Sequence, residues 1–91
     1  MGSARDTAVD LMDRLLSGEL TVGDFCAQYE QHFNFDWPDR GVEAQAELFG
    51  KLFEVVVWYS PYPDERRITP NYTGEADVVG LVQTTRSQVA A

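Results

Sequence analysis

Leu20-Thr21-Val22-Gly23-Asp24-Phe25 carries the strongest local signal in the chain. Thr21 is placed to cap the backbone N–H of Asp24, and the Asp24 carboxylate to reach back to the N–H of Thr21. Asp is a shorter-armed version of the usual Glu or Gln in such a capping box. Leu20 and Phe25 occupy the two positions of a hydrophobic staple, which fixes the angle at which the chain enters a helix. Val22, Phe25, Cys26, Tyr29 and Phe33 then recur on one face, so the predicted helix runs to about Phe33. Upstream, Leu11, Leu15, Met12, Leu16 and Val9 share an arc of about 160° on a helical wheel, with Asp6, Asp10 and Asp13 opposite. This predicts a helix over Asp6 to Ser17, with Ser3 and Asp6 at capping-box spacing and Gly18 as a left-handed C-terminal cap. Only three residues separate the two helices, so they are expected to be antiparallel neighbours.

Downstream, Asn34 to Gly41 reads as a break, because Pro38 and Gly41 both resist helix and Pro38 pushes Trp37 towards extended geometry. A third helix is expected from near Asp39 or Val42. Val42, Ala46, Leu48, Phe49, Leu52, Phe53, Val55 and Val56 form its apolar arc, and Asp39, Glu43, Glu47 and Glu54 gather on the other side. The run Val55-Val56-Val57-Trp58-Tyr59 is β-prone, and a short strand there is the competing reading. Ser60 to Tyr72, with Pro61, Pro63 and Pro70, is expected to be a loop in which Asp64 and Glu65 balance Arg66 and Arg67. Thr73 or Gly74 should cap a last helix, with Glu75 and Asp77 at its positive end and Val78, Val79, Leu81, Val82 and Val89 on one face. The expected fold is all-α, a small antiparallel four-helix bundle in a single domain over residues 1–91, with 1–3 compatible with a tag remnant.

Composition narrows the function. The chain carries 15 acids against 7 bases, a net charge of −8. That sign opposes binding to nucleic acid or an anionic membrane and points to a basic partner. Aromatics make up 12% of the residues, too many for a disordered acidic chain. One cysteine excludes an internal disulfide framework. No apolar run approaches the roughly 18 residues of a membrane span. The first residues lack the apolar core of a signal peptide, so a cytoplasmic protein is expected, monomeric or weakly homodimeric.

Catalytic motifs fail on spacing. Cys26 and His32 lie six residues apart, about 120° around one helix, and so diverge where a nucleophile–base pair must converge. They read as a small core residue and a boundary residue. Trp37-Pro38-Asp39 spells the acid loop of tyrosine phosphatases, yet the residue six after Cys26 is His32 rather than the required Arg. Two Cys or His side chains are too few for a structural zinc site, and neither a calcium loop nor a phosphate-binding glycine loop is present. Asn71-Tyr72-Thr73 is a glycosylation sequon. No cofactor or metal is expected. A carboxylate-pair hydrolase would need an apolar pocket around two of the acids.

The acidic stripe of the third helix is the remaining feature. In isolation such a stripe is a solvated face. Here Trp58 lies beside it, away from the apolar arc, and an exposed Trp next to concentrated charge has the composition of a binding hot spot. The expected contacts are Asp39, Glu43, Glu47, Glu54 and Trp58, with Asp64 and Glu65 as second choices.

The stretch from Leu11 to Phe25, with its Gly18-Glu19-Leu20-Thr21 turn, resembles the start of bacterial self-protective colicin-like immunity proteins. Leu48-Phe49-Gly50-Lys51-Leu52-Phe53 is similar to that family's Leu-Phe stretch. Tyr59-Ser60-Pro61-Tyr62-Pro63-Asp64-Glu65-Arg66 is similar to its Pro-x-Pro-acidic loop before the last helix. The resemblance implies a compact helical bundle without enzymatic activity. It also implies an inhibitor that binds the cytotoxic domain of a cognate toxin, a nuclease cutting tRNA, by filling its basic substrate cleft. The alternative is a small acidic adaptor or regulatory module for some other protein.

Overall fold

A computed structural model describes residues 3–38, 41, 45–68 and 72–89. The chain order is α1 (Ala4–Leu16), α2 (Val22–Gln31), a π-helical turn (His32–Asp36), α3 (Ala46–Val57), α4 (Pro63–Ile68) and α5 (Glu75–Gln88). Four main helices, α1, α2, α3 and α5, make an all-α bundle, and no strand is found among the described residues. The helices close a ring in which α1 packs on α2, α2 on α3, α3 on α5 and α5 back on α1. Cross-links between them show the alternating directions. The His32 ring at the end of α2 donates from Nε2 to the Ala4 carbonyl at the start of α1. Tyr29 late in α2 donates its hydroxyl to the Phe49 carbonyl early in α3. Gln45, before α3, donates to the Gln88 carbonyl at the end of α5.

The caps account for the first two helices. Ser3 Oγ accepts from the Asp6 N–H while the Asp6 carboxylate accepts from the Ser3 N–H, a closed capping box. At the other end Gly18 adopts φ +85°. Its N–H donates to the Leu15 carbonyl and the Glu19 N–H to that of Arg14, which is the double closure of a Schellman turn. Thr21 Oγ1 accepts from the Asp24 N–H, so the hydroxyl half of the second box forms as expected. Leu20 and Phe25, the staple pair, both join the core.

Three boundaries differ from the sequence expectation. The second helix does not end near Phe33 but widens into a π-helical turn reaching Asp36. Trp37 follows at φ −131°, ψ 75°. This geometry turns the indole inward, and Trp37 is 2% exposed, a core residue rather than only part of a break. The third helix begins at Ala46, because Gln45 immediately before it is left-handed at φ 62° and cannot continue a right-handed helix. The expected starts at Asp39 and Val42 lie outside the described residues. The β-prone run is helical through Val57, and the competing strand is reduced to a single parallel bridge between Tyr59 and Thr73. The Ser60–Tyr72 segment contains the six-residue α4, which the proline count conceals. Gly74 is the N-cap of α5, and the Asp77 carboxylate accepts from its N–H at 2.9 Å.

The core is aromatic along α2. Phe25 and Tyr29 stack at 5.6 Å, and Tyr29 and Phe33 at 6.0 Å. Phe33 then stacks on Phe53 of α3 at 4.3 Å, while Trp37 meets Phe49 edge-on at 4.9 Å. Met12, Leu52, Val78 and Val82 complete the centre with no exposed surface. The lid of this core is partly polar. Arg5 lies over the Phe49 ring at 5.3 Å and donates to Gln45 at 2.7 Å.

Candidate partner-binding surface

Glu47, Lys51, Glu54 and Trp58 succeed one another at intervals of four, three and four residues, so they line one face of α3 and its C-cap. That line is about 16 Å long. All four side chains are exposed, whereas Phe49, Leu52 and Val56 on the opposite side are buried. Among the described residues neither Glu47 nor Glu54 makes an ion pair. Some acids elsewhere are engaged: Arg14 bridges Asp10 and Glu19, Arg86 holds Asp13 at 2.7 Å, and Asp6 and Asp77 cap helices. The α3 face therefore presents two carboxylates without an ion pair among the described residues, with Lys51 between them. Glu54 also stands in the last turn of α3, where the helix dipole disfavours an anion, and no basic residue offsets it there.

Trp58 is 42% exposed and its ring tilts against Tyr72 at 5.6 Å. The backbone explains this pairing. Thr73 donates its N–H to the Trp58 carbonyl at 2.8 Å and receives the Ser60 N–H at 2.9 Å. The Thr73 hydroxyl donates to the Val55 carbonyl at 2.8 Å, satisfying one of the open carbonyls that end α3. The chain entering α5 is thus stitched to the exit of α3, and Tyr72 arrives beside the indole. Trp58 is thus partly covered by Tyr72 and remains 42% exposed.

The structure brings Glu47, Glu54 and Trp58 onto one surface. Asp39 and Glu43, expected on the same stripe, lie outside the described residues. Asp64 and Glu65 belong to α4, where Asp64 pairs with Arg67 at 3.3 Å and Glu65 is half-buried. Tyr72, Val57 and Tyr62 were not singled out as candidates, though Val57 and Tyr62 are 44% and 62% exposed. The signal for Tyr62 was its place between two prolines, which gives it no helical face to bury. Phe35, 74% exposed on the π-helical turn, was also missed. In an α-helix it would have followed Phe33 by two residues and faced away from it.

The chemistry-bearing side chains are enclosed. The Cys26 thiol is buried, and desolvation with a smaller push from Glu30 raises its pKa to about 12. Burial also raises the Tyr29 phenol, whose hydroxyl is committed to Phe49. His32 is buried against Trp37 at 5.4 Å and bonded to Ala4. The described residues include no pocket and no group of three His, Cys, Asp or Glu side chains able to hold a metal ion. No helix among them is long and apolar enough to cross a membrane. Comparison with protein-family models, curated proteins and solved structures finds no match to this chain.

Proposed function

We propose that the protein is an immunity-type inhibitor that binds the basic cytotoxic domain of a cognate bacterial toxin, in the cytoplasm of the cell it protects. The observation that carries this reading is the α3 face, where Glu47 and Glu54, without an ion pair among the described residues, run up to a half-exposed Trp58. A nuclease cleft must be basic to hold phosphates. A rigid row of carboxylates can occupy such a cleft in place of a nucleic-acid backbone and draw it in by long-range attraction. Glu54 supports the assignment separately. A residue held against the preference of its helix end, with no ion pair among the described residues, fits a surface shaped by something outside it. The resemblance of the Leu11–Phe25, Leu48–Phe53 and Tyr59–Arg66 stretches to colicin-like immunity proteins names the kind of partner.

The test is association kinetics with the basic toxin domain encoded beside the gene. Reversing Glu47 and Glu54 to Lys should slow association at least about tenfold at low salt and leave the helical signal intact. Added salt should slow the wild type more than the double variant. Trp58→Ala should act mainly on dissociation, as expected when a desolvated anchor is lost. Wild-type rates from the double reversal would move the contact away from α3. Absence of both binding and cellular protection would defeat the immunity reading.

A further inference from the structure

The exposed part of Trp58 bears on what kind of basic group the surface takes. Resting on the reading of the α3 face given above, we infer that Trp58, Tyr72 and Glu54 form a seat for an arginine side chain of the basic partner. Trp58 and Tyr72 meet at 5.6 Å with their planes 56° apart, an open aromatic corner rather than a closed stack. Glu54 stands one helical turn before Trp58 on the same face and is unpaired among the described residues. Lys51, the nearest cation on that face, is two turns from Trp58, about 10 Å along the axis, and does not fill the corner.

These groups discriminate between the two basic side chains. A guanidinium is flat and weakly hydrated, so it can lie on the indole while its N–H edge bonds a carboxylate. An ammonium is compact and strongly hydrated, and it gains little from an aromatic face that stays half wet. A purely acidic surface treats the two alike at equal charge. Here the carboxylate-bearing residue and the ring lie one helical turn apart on one exposed face, which is what converts general attraction for basic groups into preference for arginine. The net charge of −8 supplies that general attraction.

The experiment compares amidated hexa-arginine with amidated hexa-lysine, binding to the intact protein by calorimetry at low salt. The arginine peptide should bind roughly three- to fivefold more tightly. Trp58→Ala should abolish that preference and leave the lysine peptide within about twofold of its wild-type affinity. Trp58→Leu keeps apolar bulk without a π face and should lose the preference equally, with the helical signal confirming the fold of both variants. Glu54→Gln should weaken both peptides and reduce the ratio between them. Equal affinities for the two peptides, failure of either to bind, or a preference that survives Trp58→Leu would overturn the arginine seat. A toxin domain that still depends on Glu47 and Glu54 would leave the inhibitor reading standing in that event. Arginine preference without toxin binding would have the opposite meaning.

Discussion

Phe25 is the side chain on which the largest single energetic consequence rests. It is fully buried, stacks on Tyr29 and anchors the start of α2. Phe25→Ala should cost on the order of 3–5 kcal/mol, a large part of the stability a domain of this size possesses. A urea titration showing a loss under about 1 kcal/mol would contradict its burial. One residue further on, Cys26 links the core to pH. Its thiol is held neutral by burial, with its pKa raised from 9.0 to about 12. The folded state therefore keeps a proton that the unfolded chain releases. This contribution is complete below about pH 9 and is lost as the pH climbs towards 12. Tyr29, raised by burial as well, adds loss in the same direction at still higher pH. Urea midpoints should fall steeply between pH 9 and 10.5 in the wild type and less steeply in Cys26→Ala. Parallel declines would show that the fold does not hold the thiol neutral.

The helices separate according to how locally their ends are decided. Ser3, Gly18 and Thr21 each act within four residues of themselves, so α1 and the start of α2 were legible from spacing alone. The start of α3 was not. Gln45 is left-handed there while its side chain bonds Arg5 and Gln88, residues 40 and 43 positions away. The π-helical turn is equally non-local, since His32 in it bonds Ala4 and its neighbour Trp37 packs on Phe49. In α4 a local sign exists: Pro63 opens the helix and Asp64 and Glu65 occupy its first turn, a favoured N-terminal arrangement obscured by the prolines and balanced charges around it. Two glycines test the local part of this account in opposite directions. Gly18 sits at φ +85°, so Gly18→Ala should destabilise by about 1 kcal/mol through backbone strain. Gly80 is exposed inside α5 and nothing lies within 4 Å of an added Cβ. Gly80→Ala should therefore stabilise by roughly 0.5–1 kcal/mol. Thermal melts of the two variants should move to opposite sides of the wild type. Movement of both in one direction would mean that the caps and helix interiors are not governed by local propensity.

At the scale of the molecule, charge and stability pull against each other. The part of the site on α3 was legible because helical spacing aligns Glu47, Glu54 and Trp58 whatever the helix packs against. Tyr72 was not legible, because only the Thr73 hydrogen bonds to Trp58 and Val55 bring it there. With a net charge of −8, each further unpaired carboxylate adds self-repulsion to the folded state. Glu54 adds a dipole conflict at the end of α3. Replacing it by Lys removes that conflict, supplies the favoured sign and brings the net charge to −6, since one reversal adds two to −8. These gains come to about 0.3–1 kcal/mol. The new repulsion from Lys51, three residues before, takes back about 0.2–0.5 kcal/mol. Glu54→Lys should therefore leave Tm level or raise it by up to about 5 °C at low salt while weakening partner binding. Glu75→Lys is the matched control. It changes the net charge equally, but Glu75 stands in the first turn of α5, where the dipole favours the acid, so that variant should melt lower than Glu54→Lys. Equal melting shifts would reduce the effect to net charge alone. A fall in Tm for Glu54→Lys together with unchanged binding would make Glu54 a structural residue. A rise in Tm with lost binding is the signature of a surface whose charge is retained for its partner at the expense of the fold.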